Sequence, residues 1–313
     1  MTNMLDISVR GKRKLIPSVE KLGVTVLISG KLLKKAEIFD EYWLEAETLP
    51  SPDLLISELS ALHGRPDLFT FIQRVPDNKP KYDHYYTWEN YAVLPVSSYE
   101  NWLNNQIHST TKRNIRASEK RGIEIRVSEY DENYVKGIMS IYNESPLRAG
   151  RKFWHYGKDF ETVKRENGTY SERSTYLAAY YQGEMVGYLK IVWDKKTAAI
   201  MQILSKLSVR DNRPNNALLA EAVKQCCLRE VNYLIYEKYD YGNKTGDSLT
   251  RFKQSNGFIR MDIPQYHVPL TTKGACALRL GLYQNISRIV PEWIAVPARE
   301  FRTKLHETFL NYR

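Results

Sequence analysis

"TYLAAYYQGEMVGYLKIVWDKKTAAIMQIL", Thr175 to Leu204, decides how this chain is read. Three apolar runs are separated only by the short polar stretches QGE and DKKT, so the spacing predicts three strands joined by tight turns, an antiparallel meander. The next stretch, "SVRDNRPNNALLAEAVKQCCLRE", predicts a helix. Pro214 suits its first turn, and Leu218, Leu219, Ala222, Val223, Cys226 and Cys227 form its apolar stripe, which makes the two cysteines core residues rather than reactive ones. Beyond it follow a strand in "NYLIYEKYDYG" and a short helix in "GDSLTRFKQSNGF", started by Asp247 or Ser248 and ended by Gly257.

Upstream of the meander, Asp131 starts the helix "DENYVKGIMSIYNES", whose apolar face is Tyr134, Val135, Ile138, Met139, Ile141 and Tyr142. Before it lie a basic helix from about Ser109 to Arg121, ended by Gly122, and the alternating strand "IEIRVS". Between the Asp131 helix and the meander, "PLRAGRKFWHYGKDFETVKRENGTYSER" has no regular period, and a loop of that length reads as functional. Its aromatics Phe153, Trp154, His155 and Tyr156 argue against disorder. The first ninety-odd residues hold a strand in "VTVLIS" and the apolar "LFTFIQRV", then Pro76 and Pro80 break the chain before the strand "YAVLPV". The tail from Tyr283 is basic, with a last helix expected after Pro297 that docks on the fold or touches a membrane surface.

Of 313 residues, 46 are Lys or Arg and 36 Asp or Glu, a net charge of +10 that favours a polyanionic partner. Lys112, Arg113, Arg116, Lys120, Arg121 and Arg126 concentrate that excess. A hydrophobic content of 42% is ordinary for a globular core. No apolar run is long enough for a membrane helix and no signal-peptide segment follows the charged N-terminus, so the expected place is the cytoplasm. Three cysteines, two of them adjacent, make no disulfide framework, and six scattered histidines carry no ligand spacing, so no metal is expected.

The order of elements over residues 123–268 resembles the GNAT acyltransferase fold, and "FK" before "NGF", with the upstream "KRNIRASEKRGIEIRV", resembles its FemAB-like branch. The resemblance implies an α/β (α+β) protein with a central, mostly antiparallel sheet flanked by helices. It divides the chain into a degenerate GNAT-like lobe (1–96), a catalytic GNAT-like domain (97–272) and a basic tail (273–313). It further implies a loop that holds the donor's pyrophosphate at the N-terminus of the helix after the meander, where free amides and the helix dipole favour an anion. The corresponding "RDNRPNNA" keeps arginines and Ala217 but has lost both glycines, and Pro214 removes an amide donor.

Donor contacts are therefore expected from Arg210, Arg213, Asn215, Asn216 and Ala217, with Gln202 on the preceding strand. Lys253, by the resemblance, stabilises the oxyanion of an acyl transfer while Phe252 faces the core and borders the substrate; Tyr241, in preference to Tyr239, protonates the leaving group. Arg148, Arg151 and Tyr156 are the expected acceptor contacts and His155 a candidate base. The implied activity moves an acyl or aminoacyl group from a phosphate-bearing donor, acetyl-CoA or another acyl-CoA, to an amine of a sugar or cell-envelope precursor in polysaccharide biosynthesis. Two other readings stay open: transfer from aminoacyl-tRNA, which the basic helix suits, and an inactive module that binds a nucleotide-linked or nucleic-acid ligand.

Overall fold

The computed structural model describes residues 3–9, 12–148, 150–241 and 248–283. Its framework is a twelve-stranded, mostly antiparallel sheet. At one side β1 (Asn3–Val9), β2 (Lys12–Lys21), β3 (Val24–Ser29) and β4 (Lys35–Ile38) pair in sequence order. The chain then crosses through α1 (Pro52–Ser60) to β5 (Leu68–Ile72), which lies parallel to β4. β6 (Tyr86–Pro95) does not join β5, because β14 (Ile259–Pro269), from near the end of the described chain, lies between them. The other edge of β6 takes β13 (Tyr233–Lys238), and the sheet continues through β12 (Thr197–Ser205), β11 (Glu184–Asp194), β10 (Ser174–Tyr181) and β7 (Glu124–Ser128). Hydrogen bonding is thus continuous across residue 96, with β6 held between two strands from the second half of the chain.

The meander forms as its turns dictate. β10 and β11 pair directly on either side of a two-residue turn in which Gln182 and Gly183 both have positive φ, 52° and 83°, the geometry that matches the twist of a hairpin.

One face of the sheet is covered by α6 (Pro214–Leu228) together with α2 (Tyr99–Asn101), the π-helical turn Trp102–Gln106, α3 (Ser109–Lys120) and α7 (Ser248–Ser255). Leu218, Leu219, Ala222, Val223 and Cys226 are buried there as the stripe predicts, while Cys227 is half-buried. The carbonyls left over at the end of α7 are satisfied from outside: Trp102 Nε1 donates to Asn256 O at 3.0 Å and Thr111 Oγ1 to Ser255 O at 2.9 Å. Gly257 ends α7 at φ 86°, and a Cβ there would stand 3.2 Å from Gln106 O.

The opposite face carries α4 (Glu132–Tyr142) and α5 (Phe160–Asn167). Asp131 caps α4 as expected, accepting from Tyr134 N at 2.7 Å. Within the long aperiodic segment the structure adds the short pair β8 (Leu147–Arg148) and β9 (Arg151–Lys152), and α5 itself. Asp159 accepts from Thr162 N at 2.8 Å to start α5. At eight residues it fully buries only Val163 and Asn167, with Phe160 packed partly against them, too few positions to make a readable stripe. A further helix, α8 (Thr272–Arg279), packs so closely on the Asp67 carbonyl that only Gly274 fits. The Asp247 cap of α7 and the helix after Pro297 lie outside the described residues.

Candidate functional site

Strands β12 and β13 are parallel neighbours over only three pairs, Thr197↔Tyr233, Ala198↔Leu234 and Ala199↔Ile235. Past Ala199, β12 stays with β11 to Ser205, and past Ile235, β13 stays with β6 to Lys238. Two strands that start paired and then bond only to their outer neighbours enclose a wedge between them. Its opening is helped by a bulge, for Lys190 pairs with Gln202 and Ile191 with Ile200, leaving Met201 over, and an extra residue bends its strand.

Beyond the mouth of the wedge, the loop before α6 is cationic and differs from a glycine cradle. Arg210 is exposed in a 3-10 turn, and Arg213 takes a left-handed conformation at φ 61° immediately before Pro214. Pro214 has no N–H, while Asn216 N and Ala217 N bond back to the Arg213 carbonyl at 3.1 and 3.4 Å. Backbone donors are largely used within the turn, so an anion here meets side chains. Asn216 and Ala217 are themselves buried, and the buried Asn215 Oδ1 has no partner among the described residues. Arg121, at the end of α3, donates to the Asp211 carbonyl, which sets the basic helix beside this loop.

Lys253 and Phe252 stand the other way from the expectation. Lys253 is fully buried, its Nζ donating to the Lys238 carbonyl at the end of β13 and lying 4.5 and 4.9 Å from the ring centres of Tyr236 and Tyr241. Phe252 is only half-buried against the α6-side core. The reason is that Lys253 lies by the end of β13, where a long stem tipped with a donor reaches a strand carbonyl and two aromatic faces that a phenyl ring cannot serve. Tyr241 is held in turn, its hydroxyl donating to the Glu237 carboxylate.

The loop residues divide. Arg148 is turned inward: it donates to Ser205 O at 2.8 Å and Ile141 O at 3.2 Å, pairs with Glu144 at 3.7 Å, and stacks on Phe153. His155 is buried at 6% exposure against Tyr142 and Phe153, with Nε2 3.4 Å from Gln202 Nε2. Burial, then the nearby Lys158 and Arg148 charges, lower its pKa to about 3, so the imidazole is neutral throughout the ordinary range and too weak a base for an ammonium proton. Arg151 and Tyr156 point to solvent. The four residues do not converge on one acceptor.

On the same face the structure assembles groups that no motif announced. Gln202 Oε1 accepts from Tyr142 at 3.3 Å, Tyr142 and Tyr188 share a 2.7 Å bond, and Asn167 lies 3.5 Å from the Tyr188 hydroxyl. Lys190, 1% exposed, donates to the Asn167 and Thr169 carbonyls, and burial lowers its pKa to about 7. Two residues further along β11, Val192 borders a cavity of about 350 Å3 at the apex of the wedge, walled also by Ala199, Ile235, Ile72, Tyr42 and Tyr91. The segment from Glu41 to Glu47 roofs it. Arg74 donates to the carbonyls of Glu41, Tyr42 and Leu44, Tyr170 to Asp40, and Ala46 N to Asp194. The Glu41 carboxyl accepts from Ile72 N at 3.0 Å, and burial pushes its pKa up to about 7. A sequence read segment by segment has no signal for this site, because its walls come from around residues 42, 74, 91, 192 and 235.

No family model matches the chain and no curated protein matches its sequence. Solved structures do share the fold. The C-terminal domain of a protein assigned as a lysylphosphatidylglycerol synthetase from Agrobacterium fabrum is 13% identical, with a TM-score of 0.52 over 82% of this chain and 84% of that one. L-PGS from Bacillus licheniformis is 12% identical, with a TM-score of 0.50 over 78% of this chain and 80% of that one. A conserved protein of unknown function from Bacteroides thetaiotaomicron is 8% identical, with a TM-score of 0.53 over 82% and 86%. At this identity they share the fold alone, and the architecture is the central, mostly antiparallel sheet flanked by helices that the order of elements predicts. Among the described residues no group of side chains is arranged to hold a metal ion, and no helix is long and apolar enough to cross a membrane.

Proposed function

We propose that the protein is an acyltransferase that carries an acyl or aminoacyl group to an amine of a sugar or cell-envelope precursor, with the donor lying in the wedge between β12 and β13. The observation that carries this reading is the wedge itself: a strand pair that parts after Ala199 and Ile235, a bulge at Met201, and a cationic loop leading into α6. In the reaction the amine lone pair attacks the donor carbonyl, a tetrahedral oxyanion forms, and collapse expels the thiolate or ribose oxygen while the amine proton passes to that leaving group. Lys253 supplies the positive charge that favours the oxyanion, acting through the ring-lined end of β13. Tyr241, held by Glu237, hands the proton to the leaving group.

Arg210 and Arg213, with the Asn215 and Asn216 amides, take the donor phosphates in place of the missing glycine amides. This exchange favours a long polyanion over a single pyrophosphate, and the exposed Arg113, Arg116, Lys120 and Arg121 along α3 lengthen the same cationic surface. One of the structural neighbours is named for lysylphosphatidylglycerol synthesis, which suits an aminoacyl group. The purified protein titrated with acetyl-CoA, aminoacyl-tRNA and uncharged tRNA at several salt concentrations tests the reading. Tight, salt-dependent binding of tRNA, with loss of the aminoacyl group to an added amine, is expected. Binding of none of the three removes the proposal.

A further inference from the structure

The loop between α4 and α5 turns two kinds of side chain in opposite directions. Its ends are tied together, with Gly157 N donating to Asn143 Oδ1 at 2.9 Å and Phe153 N to Pro146 O at 2.7 Å, while Leu147 and Arg148 pair with Lys152 and Arg151. Arg148, Phe153 and His155 point inward and anchor it on α4 and β12. Leu147, Trp154 and Tyr156 point outward, 54%, 50% and 46% exposed. Leu207, also exposed, adjoins the base of the loop, where its N–H donates to Glu144. Apolar residues scattered singly over a surface need no explanation, but several on one anchored projection do.

The charge on this projection has one sign. From Ser145 to Lys158 the chain carries Arg148, Arg151, Lys152 and Lys158 and no Asp or Glu. Arg148 pairs with Glu144 and Lys158 with Glu166, whereas Arg151 and Lys152 are exposed and have no ion pair among the described residues. Two unmatched cations beside Leu, Trp and Tyr side chains suit hydrocarbon bordered by anionic headgroups, where Trp and Tyr sit at the boundary and Lys and Arg meet phosphate. A nucleic acid fits less well. It offers nothing to Leu147 and Leu207, and the Trp154 ring on which a base would stack is already packed against His155 and Lys158 Nζ, the latter 4.2 Å from its centre. A protein partner also fits less well, because the centres of such interfaces are poor in charge.

We propose that this loop docks the protein on an anionic lipid surface, with Leu147, Trp154 and Tyr156 entering the headgroup boundary and Arg151 and Lys152 meeting the lipid phosphates. The Arg210 N–H bonds to the Leu207 carbonyl at 3.1 Å, which puts the cationic loop before α6 next to the same patch and adds to the attraction. Docking of this kind needs neither donor nor acceptor, so it goes beyond the transferase reading and stands or falls without it.

Sedimentation of the full chain with vesicles compares phosphatidylcholine alone with phosphatidylcholine containing phosphatidylglycerol, and brominated acyl chains report any tryptophan that enters the bilayer. The parent protein is expected to bind the anionic vesicles saturably, to bind the neutral ones about tenfold more weakly, and to lose fluorescence to the brominated lipid. Arg151→Gln with Lys152→Gln should weaken binding on the order of tenfold, and Leu147→Gln with Tyr156→Gln should weaken it several-fold at unchanged charge. Trp154→Phe should keep most of the binding and lose the quenching, which separates this loop from every other tryptophan of the chain. Equal binding to both kinds of vesicle, parent-like binding by either double variant, or quenching that survives in Trp154→Phe overturns the proposal. So does a loss of tRNA affinity in Arg151→Gln with Lys152→Gln while vesicle binding is unchanged, which would make the loop a nucleic-acid surface. If one variant loses its cooperative melting transition, the others decide.

Discussion

The mouth of the wedge and its apex are built from opposite materials. At the mouth the charges of Arg121 and Arg210 lie in water, and Arg213 is half-exposed beside them. At and beside the apex two charged groups are enclosed, and burial drives them toward the same value from opposite sides, the Glu41 carboxyl up to about 7 and the Lys190 amine down to about 7. A charge in water costs the fold almost nothing and is screened by salt; a charge under a roof is set by its few neighbours and is coupled to stability through its proton. Substitutions should therefore separate the regions by what they disturb, ligand affinity at one and pH-dependent stability at the other.

The largest effect is expected at Lys253. Lys253→Met keeps the stem and removes the charge, so turnover should fall on the order of a hundredfold with donor and acceptor affinities nearly unchanged. Full turnover with a lowered melting temperature would make the lysine a strut between α7 and the end of β13. At the mouth, the double variant Arg210→Ala, Arg213→Ala should weaken donor binding by about tenfold at low salt, and the difference from the parent protein should shrink as salt rises. Its melting temperature should not move. An unchanged donor Kd removes the loop from the site.

Smaller effects are expected at the apex, and their signs differ. The Glu41 pKa is raised from 4.5 to about 7, so between those values the folded state holds a proton that the unfolded state lacks, and stability falls as pH rises through that window. For Lys190, lowered from 10.5 to about 7, the unfolded state holds the extra proton, and stability rises with pH across that higher window. Each slope is at most about 1.4 kcal/mol per pH unit. Glu41→Gln should abolish the first and Lys190→Met the second, as read from chemical denaturation at a series of pH values. Smallest is Phe252→Ala. With the ring half-exposed, the loss should be about 1 kcal/mol, below the roughly 3–5 kcal/mol of a fully buried aromatic.

What could be read from the chain follows from the range of the forces that write it. The meander, the α6 stripe and the Asp131 cap depend on residues within a few positions of one another, and each forms where its pattern lies. Helix α5 is not legible because eight residues carry too short a period, although Asp159 four positions before the buried Val163 is a usable signal. The resemblance puts Phe252 on the core and Lys253 beside the reacting carbonyl, and the available carbonyl of Lys238 reverses that order of burial.

The sequence by itself determined the order of elements, hence a central, mostly antiparallel sheet flanked by helices, and the cationic loop before α6, because hydrophobic period, turn chemistry and charge are local properties. Only the tertiary structure decided that β14 lies between β5 and β6, that the aperiodic loop sends Arg148 and His155 inward, and that Tyr42, Arg74, Tyr91, Val192 and Ile235 surround one cavity. Strand pairing joins residues far apart in the chain through backbone groups that every residue shares, so nothing in any single segment records which partner it takes.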